Sequence, residues 1–351
     1  MSQPEVICEK QGAAGLIRLN RPQALNALTL GMVREMSRAL DAWERDPDVA
    51  CVVVTGEGGK AFSAGGDIRL LHDQGKAGDH AAQIDFWREE YILNRRIKLY
   101  PKPYVALIDG IVMGGGAGVS INGSHRIAGD RFAFAMPEVG IGFFPDIGAT
   151  WFLPRLPGKT GLYLGLTGAR ARAGDAVALG LAEAYVPSAQ FEALRAALIA
   201  GESVEAAVKR LCAPAPASAI LAERAAIDAG LSGENVAECL TRLDADASPF
   251  AVETARTIRA KSPTSLAIAF RQMQIGGGLD IDDAMRAEFR IVSRLCRGHD
   301  FYEGVRAVII DKDNAPRWSP ARVADVSDAA VDAYFAPLGA GEELTFSGGG
   351  A

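Results

Sequence analysis

Apolar residues in the first half of the chain switch between short continuous runs and a helical period, and the switches predict its elements. Val6 to Cys8 and Ala14 to Leu19 carry apolar runs on either side of Gly12 and predict a hairpin, which Asn20-Arg21-Pro22 ends. Leu28, Met32, Val33, Met36, Leu40 and Trp43 recur at helical spacing, so 28–43 reads as an amphipathic helix. Cys51-Val52-Val53-Val54-Thr55-Gly56 predicts a buried strand. A glycine-rich turn follows from Gly58 to Asp67, and Gln83 to Ile97 predicts a second helix. Another buried strand is expected at Tyr104 to Ile108. It leads into the stretch from Gly110 to Asp146, with a glycine cluster at Gly114, Gly115, Gly116 and Gly118. Ala117 to Ile121 are small and apolar and suit a buried helix. Strand, helix, strand, glycine turn, helix is laid out twice, which predicts an α/β fold with helical crossovers.

In the second half, Leu162 to Leu166 and Asp175 to Leu181 predict short helices, and Ala184-Tyr185-Val186 a last strand. Past Pro187 the chain turns alanine-rich and amphipathic. Helices are expected at 191–199, 204–211, 218–229, 235–242, 251–262 and 279–296, with Pro and Gly in the connectors. The expected organisation is a core over 1–200, a helical region over 201–337, and a Gly- and Ser-rich tail over 338–351 that reads as disordered.

Composition narrows the function. The chain has 351 residues, 49% of them hydrophobic, enough for one large or two ordinary domains. A net charge of −6 argues against nucleic acid as the main partner. The five cysteines are scattered without a CxxC pair, and no histidine sits in an HExxH pattern, so neither a disulfide framework nor a metal site is expected. No apolar run of roughly 18 residues suggests a membrane span. The N-terminus carries early acids and resembles no signal or transit peptide. A soluble, cytoplasmic enzyme is expected.

Each glycine turn follows a buried strand and can present a backbone N–H. Two such donors on one carbonyl oxygen would form an oxyanion hole. Tight turns or phosphate cradles are the other readings. No GK[ST] follows the cluster, and the spacing after Gly116 fits a dinucleotide fingerprint poorly. Glu138 and Asp146 each follow a proline in apolar company. They are kept for chemistry, or they are structural: Glu138 capping its segment or paired with an arginine such as Arg126 or Arg155, Asp146 capping a helix at Ile147. No GxSxG elbow marks a serine hydrolase.

Ala61-Phe62-Ser63-Ala64-Gly65-Gly66-Asp67-Ile68-Arg69 together with Gly110-Ile111-Val112-Met113-Gly114-Gly115-Gly116-Ala117-Gly118 resembles the crotonase (enoyl-CoA hydratase/isomerase) superfamily. Arg88-Glu89-Glu90-Tyr91, Met136-Pro137-Glu138, Phe144-Pro145-Asp146 and the segment from Arg297 to Ala307 are similar to its 3-hydroxyisobutyryl-CoA hydrolase subfamily. The resemblance implies a crotonase-like spiral of repeated ββα units with a helical C-terminal region. It implies an acyl-CoA substrate, no separate cofactor and no metal, and a homo-oligomer, trimer or hexamer. It assigns the oxyanion donors to the N–H groups of Gly66 and Gly115, and it matches Glu138 to the second of two hydratase glutamates. Gly118 stands where the first would be and is expected to leave room there. Asp146 matches an acid of the hydrolase subfamily, and Glu90 a further substrate-contacting glutamate. Glu138 would then activate water or attack the thioester carbonyl, with Glu90 or Asp146 orienting water or holding a substrate hydroxyl. The other readings are a hydratase or isomerase of the same superfamily, or a non-catalytic acyl-CoA-binding protein.

Overall fold

The computed structural model describes residues 3–346 and divides them into two compact units that interleave in sequence. The first runs to Asp67 and adds Leu93–Ala135 and Arg170–Leu221. The second takes Ile68–Ile92, Met136–Ala169 and the chain from Ala222 on.

All the named strands lie in the first unit: β1 Val6–Gln11, β2 Ala14–Leu19, β3 Cys51–Gly56, β4 Ala61–Ser63, β5 Tyr104–Ile108, β6 Ile111–Met113, β7 His125–Ala128, β8 Ala133–Ala135, β9 Ala171–Arg172 and β10 Ala184–Tyr185. They form a six-stranded sheet, β1-β2-β3-β5-β7-β10, and a four-stranded sheet, β4-β6-β8-β9. The pairs β3/β4, β5/β6 and β7/β8 each give one strand to each sheet. This is the repeated ββα plan. Pairing is parallel except for β1 with β2 and β8 with β9, so the chain must cross back between repeats. β5 is buried along its whole length, which is why it reads as an unbroken apolar run. Leu16, Val53, Val105, Leu107 and Ile127 of the larger sheet pack with Leu194, Leu198 and Val204.

Helix Leu30–Arg45 buries Met32, Val33, Met36, Leu40 and Trp43, five of the residues whose spacing predicted it. It starts two residues later than the apolar pattern because the Thr29 hydroxyl caps it, accepting from the Met32 N–H. The expected helix 83–97 spans His80–Lys98. The helix expected at 117–121 is a short one, Gly115–Gly118.

The described part of the second unit is helical. Helix Pro263–Gly276 was not expected from the sequence, although Ser262 at the cap and Pro263 at the first position are start signals. Helix Ile281–Leu295 begins at the Asp280 cap, within the expected 279–296. Within the stretch read as a tail, Leu344 is buried and Glu343 pairs with Arg290 at 2.9 Å, while Gly339 to Glu342 are exposed. Residues 347–351 lie outside the described residues.

Candidate active site

In the first unit the two glycine turns adjoin. Gly65 has φ +115°, and a Cβ there would stand 3.4 Å from the Met113 carbonyl oxygen and 3.7 Å from the Gly115 nitrogen. Leu28 makes a short parallel bridge to Gly66: its N–H donates to the Gly65 carbonyl at 2.8 Å, and its carbonyl accepts from Asp67 at 2.9 Å. Those bonds use the groups on either side of Gly66 and leave the Gly66 N–H outside the bridge. Gly115 is the first residue of its helix, where an N–H has no intrahelical acceptor. Gly114 before it has φ 45° and ψ −130°, a geometry that only glycine adopts readily. A Cβ on Gly116 would lie 2.4 Å from the Ser63 carbonyl oxygen, so this glycine lets the helix close on β4.

Gly118 does not leave a space. A Cβ there would meet Asn94 Oδ1 at 2.7 Å and Nδ2 at 2.8 Å. The amide of Asn94, from helix His80–Lys98, lies against Gly118, in the space that a side chain there would have to enter. The sequence expected room at Gly118; a neighbouring helix supplies a side chain instead.

The carboxylates of the second unit are deeply buried. Glu90 is 2% exposed, Asp146 4%, Glu138 6% and Glu288 0%. Tyr91 donates its hydroxyl to Asp146 Oδ2 at 2.8 Å. Glu288, from helix Ile281–Leu295, accepts the N–H groups of Gly148 and Thr150, each at 2.8 Å. Gln272, from helix Pro263–Gly276, donates to the Pro145 carbonyl at 2.8 Å and to Thr150 Oγ1 at 2.7 Å. Two helices therefore pin the segment that carries Asp146. That segment needs pinning, because Ile147 sits at φ 58°, a strained conformation for a β-branched residue.

The alternative roles for the two acids meet other partners. Arg126 pairs with Glu183, and Arg155 donates to the carbonyls of Gly276 and Leu279. The first turn after Asp146 is capped by its main-chain carbonyl, which accepts from Ala149 at 2.9 Å, while its carboxylate accepts from Tyr91. Glu138 opens a single 3-10 turn, Glu138–Ile141, directly after Pro137, and Ser262 donates its N–H to the Val139 carbonyl at 3.1 Å.

Burial dominates the electrostatics. It pushes the Asp146 carboxyl up to about 7, against the pull of the Tyr91 hydroxyl. It pushes Glu288 up to about 8, helped by the charge of Asp146 and opposed by the two N–H donors. Glu90 is held well above the ordinary carboxylate range by burial and then by Asp146. Among the described residues Glu90 Oε1 has no hydrogen-bond partner. Burial thereby brings Asp146 and Glu288 toward neutral pH, where a carboxyl can give or take a proton. Among the described residues no group of three or more His, Cys, Asp or Glu is arranged to hold a metal ion, and no helix is long and apolar enough to cross a membrane.

Asn94, Gln272 and Glu288 did not stand out in the sequence, and Tyr91 stood in a motif of the resemblance without being given a role. For Glu288 a signal exists: it lies among Ala284, Met285, Phe289, Ile291 and Val292 on the buried side of its helix, where a carboxylate is out of place.

A chain with this fold and these paired glycine turns belongs to the enoyl-CoA hydratase/isomerase family, the crotonases, whose family model it matches over residues 14–335. It is a crotonase-family enzyme, and the family acts on acyl-CoA substrates. Individual relatives carry different names. It is 46% identical over 345 residues to 3-hydroxyisobutyryl-CoA hydrolase, mitochondrial, of Xenopus tropicalis, covering 95% of this chain and 89% of that protein. The human protein of the same name is 42% identical over 348 residues, 96% of this chain and 90% of its own. Among solved structures, a carnitinyl-CoA dehydratase from Mycobacterium thermoresistibile superposes with TM-score 0.94 at 42% identity, covering 99% of this chain and 100% of that one. An enoyl-CoA hydratase from Rhodobacter sphaeroides 2.4.1 gives 0.91 at 43%, covering 98% and 100%.

Proposed function

We propose that this enzyme hydrolyses the thioester of 3-hydroxyisobutyryl-CoA, or of a close short 3-hydroxyacyl-CoA, to the free acid and CoA, as in valine breakdown. The observation that carries the reading is at Gly118: it offers no carboxylate for hydration of a double bond, and the Asn94 amide lies against it in the space a side chain would need. The names of the hydrolase relatives support it. By the family pattern the N–H groups of Gly66 and Gly115 polarise the thioester carbonyl and hold the negative charge that develops on its oxygen. Glu138 takes a proton from water, whose oxygen bonds to the carbonyl carbon, or it attacks that carbon itself to give a mixed anhydride that water then opens. The C–S bond breaks and the CoA sulfur leaves with a proton. Asp146, whose carboxyl is pushed up to about 7 by burial, is suited to supply one, and the Tyr91 hydroxyl holds it in place.

The solved structures with hydratase and dehydratase names keep a second reading in view, a hydratase or isomerase of the same family. Thiol release from 3-hydroxyisobutyryl-CoA, run beside hydration of crotonyl-CoA, separates the two.

A further inference from the structure

Asn94 is fully buried, and among the described residues neither its Oδ1 nor its Nδ2 has a hydrogen-bond partner. Buried amides in native proteins are nearly always satisfied, and an exception needs a reason. Neighbouring polar groups are already engaged: Ser120 Oγ donates to the Gly116 carbonyl at 2.7 Å, and Asn122 Nδ2 to the Gly118 carbonyl at 3.0 Å. The Asn94 amide thus keeps both a free acceptor and a free donor. It lies against Gly118, one turn along the short helix from the Gly115 N–H.

The missing partner must both give and take a hydrogen bond. A hydroxyl does so with one atom, whereas a carboxylate only accepts and an ammonium only donates. Three residues of helix rise by about 4.5 Å. An acyl chain whose carbonyl is held at Gly115 carries its β-substituent over such a distance.

We propose that Asn94 is a specificity-determining residue that receives the β-hydroxyl of the acyl group, Oδ1 accepting its proton and Nδ2–H donating to its oxygen. This rests on the reading of a 3-hydroxyacyl thioester as substrate. It also frees Asp146, whose Oδ2 already accepts from Tyr91, from the duty of holding that hydroxyl.

The test uses CoA analogues with a methylene in place of the thioester sulfur, which bind without turnover. Affinities of the 3-hydroxyisobutyryl and isobutyryl analogues are measured by calorimetry for the wild type, Asn94→Leu and Asp146→Ala. The wild type should prefer the hydroxylated analogue by at least about tenfold. Asn94→Leu should lose that preference while binding the isobutyryl analogue within about twofold of the wild type. Its melting temperature should hold or rise, because an apolar side chain of similar shape replaces an unsatisfied amide. Three results overturn the proposal: no preference in the wild type, a preference that survives in Asn94→Leu and falls in Asp146→Ala, or an equal loss for both analogues in Asn94→Leu, the mark of a structural water. Thiol release from 3-hydroxyisobutyryl-CoA is followed alongside. A hydroxyl preference without turnover would sink the hydrolase reading and leave Asn94 standing; turnover without a preference would do the reverse.

Discussion

In the proposed reaction Glu138 is the base or nucleophile, and its substitution would separate binding from catalysis. Glu138→Gln keeps the shape and removes the base or nucleophile. It should lower kcat by at least about 10²–10⁴-fold with substrate affinity near normal, measured by steady-state thiol release and by binding of an inert analogue. A variant keeping more than about a tenth of wild-type kcat contradicts the assignment. The buried acids of the Asp146 segment give a second prediction, on stability. Asp146 and Glu288 hold their protons in the folded chain up to about 7 and about 8, well above the ordinary carboxylate range. Their contribution is therefore whole below pH about 4 and is lost as the pH rises through 7 and 8. Glu288→Gln cannot ionise. The melting temperature of the wild type should fall more steeply between pH 6 and 9 than that of Glu288→Gln, and parallel curves would show that Glu288 does not titrate there. Glu138, Asp146 and Glu90 were legible in the sequence because each stands in a local motif. Glu288 was not, because its meaning comes from Gly148, 140 residues away.

Among the elements, the short helix Gly115–Gly118 bears most directly on the proposed reaction. A proline at the first helical position is tolerated and deletes one N–H. Gly115→Pro should therefore lower kcat by about 10²–10³-fold in a protein whose circular dichroism matches the wild type. A folded variant with full activity would remove Gly115 from the oxyanion role. Helices with a clear apolar stripe, such as Leu30–Arg45, were readable to within a turn. Helix Pro263–Gly276 was not expected, although Ser262-Pro263 is a cap followed by a first-turn proline. That omission hid Gln272, which with Glu288 holds the strained Ile147 segment.

For the molecule as a whole, the α/β class was readable from buried runs alternating with helical periods. The spiral plan came from the family resemblance and is borne out by the two sheets and the matched structures. The order of strands within each sheet was not readable, since parallel neighbours such as β3 and β5 are joined by long crossovers and leave no local mark. The same limit applies at Gly118. The sequence has a glycine, not a glutamate, at position 118; only the fold shows that the Asn94 amide lies against it. Two substrates offered to the wild-type enzyme test what that exchange means. Release of free CoA from 3-hydroxyisobutyryl-CoA should be clear and hydration of crotonyl-CoA negligible. Robust hydration of crotonyl-CoA without thiol release from the hydroxyacyl thioester would contradict the account.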